Sequence, residues 1–309
     1  MAREGRAMTL AVAAQVGIKD EVALIGPCLA HLRAIGVGRI WVQDMGSTDG
    51  TREWLAREVG SGAAPDLTVI DTRPTDTDEA LAANIMRGVQ GARDWGADWL
   101  LMIDADEFIL PRGGNIGAVL SGVTEPLLMM DRYNVALGPG GLTIDLPPDP
   151  ARLGETLLYA GADKWYRKKL EADPALAWLR FVPLGKAAVR PEALGGLVHG
   201  MHDALGADGA PLPRATPRPV IIAHVPLSDY PRFARKVGNI AEAFELYGSA
   251  GPEKFGWHWR RWVESARAGL LRAEYDSSHL DADEIAQLRA EGVLRSVAEL
   301  LAPEPLADP

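Results

Sequence analysis

The feature that most constrains the fold is an alternation, repeated through the first hundred residues, of short apolar runs, polar loops and amphipathic stretches. Residues 10–16 are apolar apart from Gln15 and read as a buried strand that ends in Gly17-Ile18-Lys19-Asp20-Glu21. A helix follows, with Pro27 near its start, Leu29, Leu32 and Ile35 at helical spacing, and Gly36 as its stop. A second strand over 39–43 runs into Asp44-Met45-Gly46-Ser47-Thr48-Asp49-Gly50-Thr51 and a helix around 54–59. The same sequence of elements recurs at 67–71 and 78–95. Strands that alternate with helices pair in parallel through right-handed crossovers, so the chain is predicted to be α/β with a mostly parallel sheet flanked by helices.

The fourth strand, 98–103, is continuously apolar from Trp99 to Ile103 and fits a central position covered on both faces. It delivers Asp104-Ala105-Asp106-Glu107-Phe108 to the carboxyl edge of the sheet, where open α/β sheets bind ligands. The loops at 19–21 and 44–51 should reach the same crevice. Asp104 and Asp106 lie one residue apart, so both carboxylates can face a single hard cation, Mg²⁺ or Mn²⁺. A bare Asp-x-Asp more often caps the next element; the apolar strand before it and the Glu-Phe after it set this one apart.

The 309 residues suggest about two domains or one large α/β domain with an appendage. Apolar residues at 47% and charged residues at 24% are globular values. A net charge of −10 argues against a nucleic-acid partner, whose phosphates demand basic surface. With Cys28 as the single cysteine, no internal disulfide or cysteine metal cluster is possible. The apolar run at 7–16 is too short to span a bilayer, so any membrane contact is expected to be peripheral. The expected place is the cytoplasm, the inner face of the membrane included.

From 111 to 220 the pattern breaks into short apolar runs between Gly/Pro-rich stretches and assigns no elements reliably. After 220–224, Ser228 is read as the cap of a helix with Phe233, Val237, Ile240 and Phe244 on one face. Further helices are expected near 252–272 and 282–301. This divides the chain into a domain over 1–226 and a C-terminal helical segment over 227–309.

On Lys19-Asp20-Glu21, His31 to Val37, Asp44 to Thr51, Trp99 to Phe108, and His224-Val225-Pro226-Leu227-Ser228 with Phe233 and Lys236, the chain resembles glycosyltransferases of the family 2 type, in the branch related to family 92. The resemblance covers 10–110 well and 186–240 in patches. It implies a GT-A fold, the Rossmann-like fold of nucleotide-diphospho-sugar transferases, and a metal-dependent, inverting transfer from a UDP- or GDP-sugar to a glycan or other acceptor hydroxyl. Asp44 and Asp49 would then lie against the nucleoside, Asp49 competing for that role with a plain helix cap. Asp106 would be the principal metal ligand, and Asp104 would bind the ribose or the metal. His224 is the leading third ligand, ahead of His199 and His202.

Lys19, Glu21, Lys186 and Lys236 join the substrate-binding set, with Arg190 a further phosphate candidate. Lys236 shares a helical face with Arg232 and Asn239, for which a solvated basic face is the plain alternative. Inversion needs a carboxylate base; Glu107 and Asp203 are the leading candidates, with Asp131 and Asp163 also in plausible loops. Trp165-Tyr166 and residues 257–262 offer sugar-stacking faces, although the spacing of Trp259, Trp262 and Val263 favours core packing. The altered run Arg132 to Gly138 leaves open a binder that has kept the fold and lost turnover. A haloacid-dehalogenase-type phosphatase fits less well, because Phe108 stands where that motif carries Thr or Val, and a pyrophosphorylase would need a Gly-rich N-terminal loop.

Overall fold

The computed structural model describes residues 10–72, 78–161, 168–169, 172–173, 176–197, 202–247 and 257–303. A ten-stranded sheet organises them. Its first half is built from β1 (Val12–Ile18), β2 (Arg39–Asp44), β3 (Leu67–Asp71) and β4 (Trp99–Asp104), in the spatial order β3-β2-β1-β4 and parallel throughout. The crossovers are α1 (Ile25–Ala34), α2 (Thr51–Gly60) and α3 (Asp78–Trp95), where the periodicity placed them. β4 is buried along Trp99 to Ile103, as a strand covered on both faces must be.

The chain moves outward through β1, β2 and β3 and then returns to the other side of β1 as β4. Strand order therefore reverses between β1 and β4, and the crevice at their carboxyl ends is the topological switch point of the sheet. The register Gly17↔Asp104 and Ile18↔Asp44 brings the three loops that follow β1, β2 and β4 to one level.

Beyond β4 the sheet becomes mixed. β5 (Glu107–Pro111) leads into the segment without a regular period, which forms the short α4 (Ile116–Leu120), β6 (Leu127–Val135), β7 (Leu157–Tyr159) and β8 (Lys186–Val189) before β9 (Val220–His224), a strand the apolar run at 220–223 predicts. β8 inserts antiparallel between β4 and β6, and β9 lies between β5 and β6. These pairings are long-range, so no local signal announces them.

The C-terminal part contains α5 (Tyr230–Tyr247), α6 (Trp257–Arg267), α7 (Leu271–Asp276) and α8 (Ala282–Ala290). Asp229, not Ser228, caps α5, its Oδ1 accepting from the N–H of Arg232 at 2.9 Å. The helix expected over 282–301 stops at Ala290. Gly292, at φ +71°, turns the chain into β10 (Leu294–Ser296), which pairs with β7 at the sheet edge before the four-residue α9 (Val297–Leu300). The C-terminal segment thus adds a strand to the sheet as well as helices. Trp262 and Val263 pack with Phe233, Val237 and Trp178 in a second apolar core, the packing their spacing favoured. Among the described residues no helix is long and apolar enough to cross a membrane.

Candidate active site

The site begins with Gly17. A Cβ there would lie 3.1 Å from Asp104 Oδ1, so the bare Cα is what lets the Asp104 carboxylate stand over β1. The loop after β1 is then tied to the loop after β2. Asp20, at φ +56°, accepts from the Thr48 N–H at 2.6 Å and donates its own N–H to Ser47 Oγ at 2.8 Å. Lys19 Nζ donates to the Gly46 carbonyl at 2.7 Å and is occupied within this loop pair. Asp44 is fully buried; its Oδ1 accepts from the Ser47 N–H and Oγ, and its Oδ2 has no hydrogen-bond partner, with Arg52 Nε at 3.7 Å. Asp49 accepts from the Thr51 N–H and Oγ1 and from Arg235 Nη1 at 2.9 Å. Gly50, in the left-handed region, takes the N-cap position of α2, so Asp49 ties that helix end to α5 as well as serving it.

The turn after β4 carries three acids with different surroundings. Asp104 is half-exposed and accepts from Lys186 Nζ at 2.7 Å. Glu107 is buried, pairs with Arg132, approaches Lys186 Nζ at 3.5 Å and accepts the Asp104 N–H at 2.8 Å, which closes the turn. Burial raises its pKa against the pull of Lys186 and Arg132. Asp106 is 2% exposed, and its Oδ2 accepts from Arg232 Nη2 at 3.0 Å and from Lys236 Nζ. Burial opposes its ionisation, but Lys236 and Arg232 outweigh burial and hold its pKa well below the usual carboxylate range.

His224 arrives at the end of β9, paired with Glu107 of β5 and Asn134 of β6. Asn134 Nδ2 donates to the carbonyls of Leu179 and Phe181, at 3.1 and 2.8 Å, which turns its Oδ1 toward His224 Nδ1 at 2.7 Å. A carboxamide oxygen only accepts, so Nδ1 carries the proton and Nε2 presents a lone pair. Burial lowers the His224 pKa to about 4, leaving the ring neutral. Nε2 faces Asp106 Oδ2 at 3.6 Å, too far for a hydrogen bond. Two lone-pair atoms held toward each other, on ligand types a divalent ion accepts, fit a metal position.

Asp104, Asp106 and His224 do not form a closed three-ligand cage, and no such cage occurs among the described residues. Asp104 is turned to Lys186 and Asp106 to α5. Hard ions that work on phosphates commonly take one or two carboxylates from the protein and the remainder from phosphate and water, and an open pair suits that use.

Arg232 is the residue sequence reading missed. Its Nε and Nη2 grip Glu21 at 2.6 and 2.7 Å, Nη1 donates to the Val225 and Pro226 carbonyls, and Nη2 also reaches Asp106. It joins the loops after β1, β4 and β9 at one buried point. The signal was its helical spacing from Lys236. With Arg235 on Asp49 and Asn239 on Asp20, at 2.8 Å, this face of α5 is engaged with the crevice loops, and of its basic side chains Arg232 is buried and Arg235 remains exposed.

Among the described residues the remaining candidates have other partners or surroundings. Asp203 is held by Arg214 at 2.5 Å and by the Ala204 N–H. Asp131 is exposed on β6. His202 contacts the Gly185 carbonyl through Nδ1 at 2.8 Å and is not a partner of Asp106. Arg190 stacks over Trp99 at 4.7 Å, away from the crevice. Asp163, Trp165, Tyr166 and His199 lie outside the described residues.

No family model matches the chain, and no curated protein matches it by sequence. Among solved structures it is similar to a mannosyltransferase from Pyrobaculum calidifontis in complex with GDP-Man and Mn²⁺, at 18% identity, over 90% of this chain and 75% of that one, with a TM-score of 0.41. It is also similar to glucosyl-3-phosphoglycerate synthase from Mycobacterium tuberculosis in complex with Mn²⁺, UDP and glucosyl-3-phosphoglycerate, at 19% identity, over 62% of each chain, with a TM-score of 0.34. The chain thus spans about three fifths of the synthase. Likeness at these scores carries no weight for function; the geometry of the crevice has to carry it.

Proposed function

We propose that the protein is a divalent-metal-dependent glycosyltransferase of the GT-A type, related to the family 2 and family 92 branch, that moves a sugar from a UDP- or GDP-linked donor to an acceptor hydroxyl with inversion. The observation that carries this reading is the Asp106–His224 pair, tautomer fixed by Asn134, at the switch point of the sheet. Asp106 and His224 would hold the ion, Mn²⁺ or Mg²⁺, with Asp104 as the further carboxylate of the same turn. Bound there, the ion supplies Lewis-acid stabilisation of the diphosphate leaving group.

The protein's own groups do the rest. Glu21, Asp104, Asp106 and Glu107 stand against Lys186, Arg132, Arg232 and Lys236, a balanced set that favours an ion and a diphosphate arriving as a near-neutral unit. Asp44 Oδ2, buried and without a hydrogen-bond partner, is an acceptor for a base or ribose donor. Lys236 serves the phosphates. Glu107 is spent on Arg132 and Lys186 and positions the metal turn, and Asp203 is spent on Arg214, which leaves Asp131 as the base candidate among the described residues.

Release of nucleoside diphosphate from UDP- and GDP-sugars, with and without Mn²⁺, tests the reading. Slow metal-dependent release by wild type, abolished in Asp106→Asn, is expected. Tight nucleotide binding with no release for any donor and acceptor would instead select the turnover-free binder, which the engagement of both Glu107 and Asp203 favours.

A further inference from the structure

Asp106 Oδ2 is a crowded acceptor. Both of its cationic donors come from α5, and they are held very differently. Arg232 is 3% exposed and makes four further hydrogen bonds, to both Glu21 oxygens and to the Val225 and Pro226 carbonyls. Lys236 is 23% exposed on its side chain and holds Asp106 alone at hydrogen-bond range. Its nearest other acid is Glu21 Oε1 at 3.9 Å, and the Trp259 ring lies 5.9 Å from Nζ. An ion ligated by Oδ2 must displace a donor there. Arg232 would surrender a buried network, whereas Lys236 gives up one contact and has a carboxylate and an aromatic face within reach.

Resting on the function proposed above, we propose that Lys236 is a built-in competitor for the divalent ion at Asp106, so that ion and nucleoside diphosphate are taken up together and neither binds strongly alone. When the ion takes Oδ2, the freed ammonium is left beside the ion without its partner, a position that repels further cations and attracts phosphate oxygens. The diphosphate gives it a stronger partner than Glu21, whose oxygens are already committed to Arg232, or the Trp259 face. Linkage makes the effect reciprocal: nucleotide raises metal affinity by the same factor by which metal raises nucleotide affinity. The other residues of this face, Arg235 on Asp49 and Asn239 on Asp20, keep α5 seated while Lys236 swings.

The test is titration of the full chain with Mn²⁺, followed by the EPR signal of the free ion, with and without saturating UDP or GDP. In wild type, nucleotide should tighten Mn²⁺ about tenfold, within the range common for coupled sites. Lys236→Gln should bind Mn²⁺ alone about tenfold more tightly than wild type and lose most of the nucleotide-dependent gain. Lys236→Arg, which keeps the charge, should show no such rise. If Lys236→Gln does not fold, as judged by near-UV circular dichroism, Lys236→Met keeps the aliphatic stem and carries the same comparison. Equal Mn²⁺ affinity for wild type and the neutral variant, in a protein that does bind Mn²⁺ with nucleotide, overturns the inference and leaves the proposed function standing. A wild type that takes up neither Mn²⁺ nor nucleotide in any combination overturns both.

Discussion

Replacing Arg232 by Met removes the charge that joins three loops and leaves a side chain of similar length. Glu21, 6% exposed, would lose both of its guanidinium bonds, at 2.6 and 2.7 Å, and the Val225 and Pro226 carbonyls would lose their shared donor. Removing one partner of a buried ion pair costs about 3–5 kcal/mol, because the remaining charge stays buried. For a chain of this size, at about 2 °C per kcal/mol, Tm should fall by roughly 6–10 °C. The double variant Glu21→Gln, Arg232→Met buries no orphan charge and should recover at least half of that loss. Acidity supplies an internal check. Burial already raises the Glu21 pKa in wild type against the pull of Arg232 and Lys236, and without Arg232 it rises further. A carboxyl with a raised folded-state pKa penalises the fold once it ionises, so the deficit should be large at pH 8 and shrink as pH falls toward 5. Differential scanning calorimetry over that range measures it. A loss under 2 °C, or one independent of pH and unrelieved in the double variant, would refute the reasoning.

Three further outcomes follow from single contacts. Asn134→Ala frees the tautomer of His224 and leaves two carbonyls without their donor; Mn²⁺ affinity should drop by about 10–100-fold, as for other residues that orient a metal-binding imidazole, and isothermal titration with Mn²⁺ plus nucleotide checks it. Gly17→Ala places a methyl 3.1 Å from Asp104 Oδ1, so metal-dependent nucleotide binding should weaken several-fold while Tm scarcely moves; an unchanged binding constant counts against Asp104. His31 is buried with Nε2 2.7 Å from the Ile109 carbonyl, and burial lowers its pKa below the ordinary 6.5 despite that bond. The unfolded chain therefore binds the extra proton first, and this contribution to stability is complete above pH 6.5 and lost as pH falls, by up to about 1.4 kcal/mol per pH unit. His31→Gln should flatten that slope in urea titrations between pH 7 and 5.

The legible part of the fold was the part with local periodicity. β3 and α3 lie where apolar spacing put them, and the Asp-x-Asp turn follows a strand buried on both faces. The mixed half was not legible, because β8 between β4 and β6 depends on the register Ala188↔Leu101 and Ala188↔Leu128, pairings that span about ninety and sixty residues. Lys186 at the head of β8 could be named as basic, but its burial against Asp104 and Glu107 could not. The site divided in the same way. Asp106, His224 and Lys236 meet at one point while Asp104 turns to Lys186, whereas Arg232 and Asn134 act through partners up to 211 residues distant and through backbone carbonyls, to which a motif is blind. The tail helix was overextended because Leu294 and Val297 continue an apolar spacing that Gly292 interrupts.

The most direct test of the central claim is nucleotide binding followed by thermal shift, with UDP, GDP, CDP and dTDP, each with and without Mn²⁺, on wild type and Asp106→Asn. Ligand at 100 times its dissociation constant adds about 2.7 kcal/mol, a shift of several degrees. The account predicts a shift for one nucleotide that requires Mn²⁺ in wild type and is lost in Asp106→Asn although the variant remains folded. A shift that persists unchanged in the variant, or no shift with any nucleotide and metal, would contradict it.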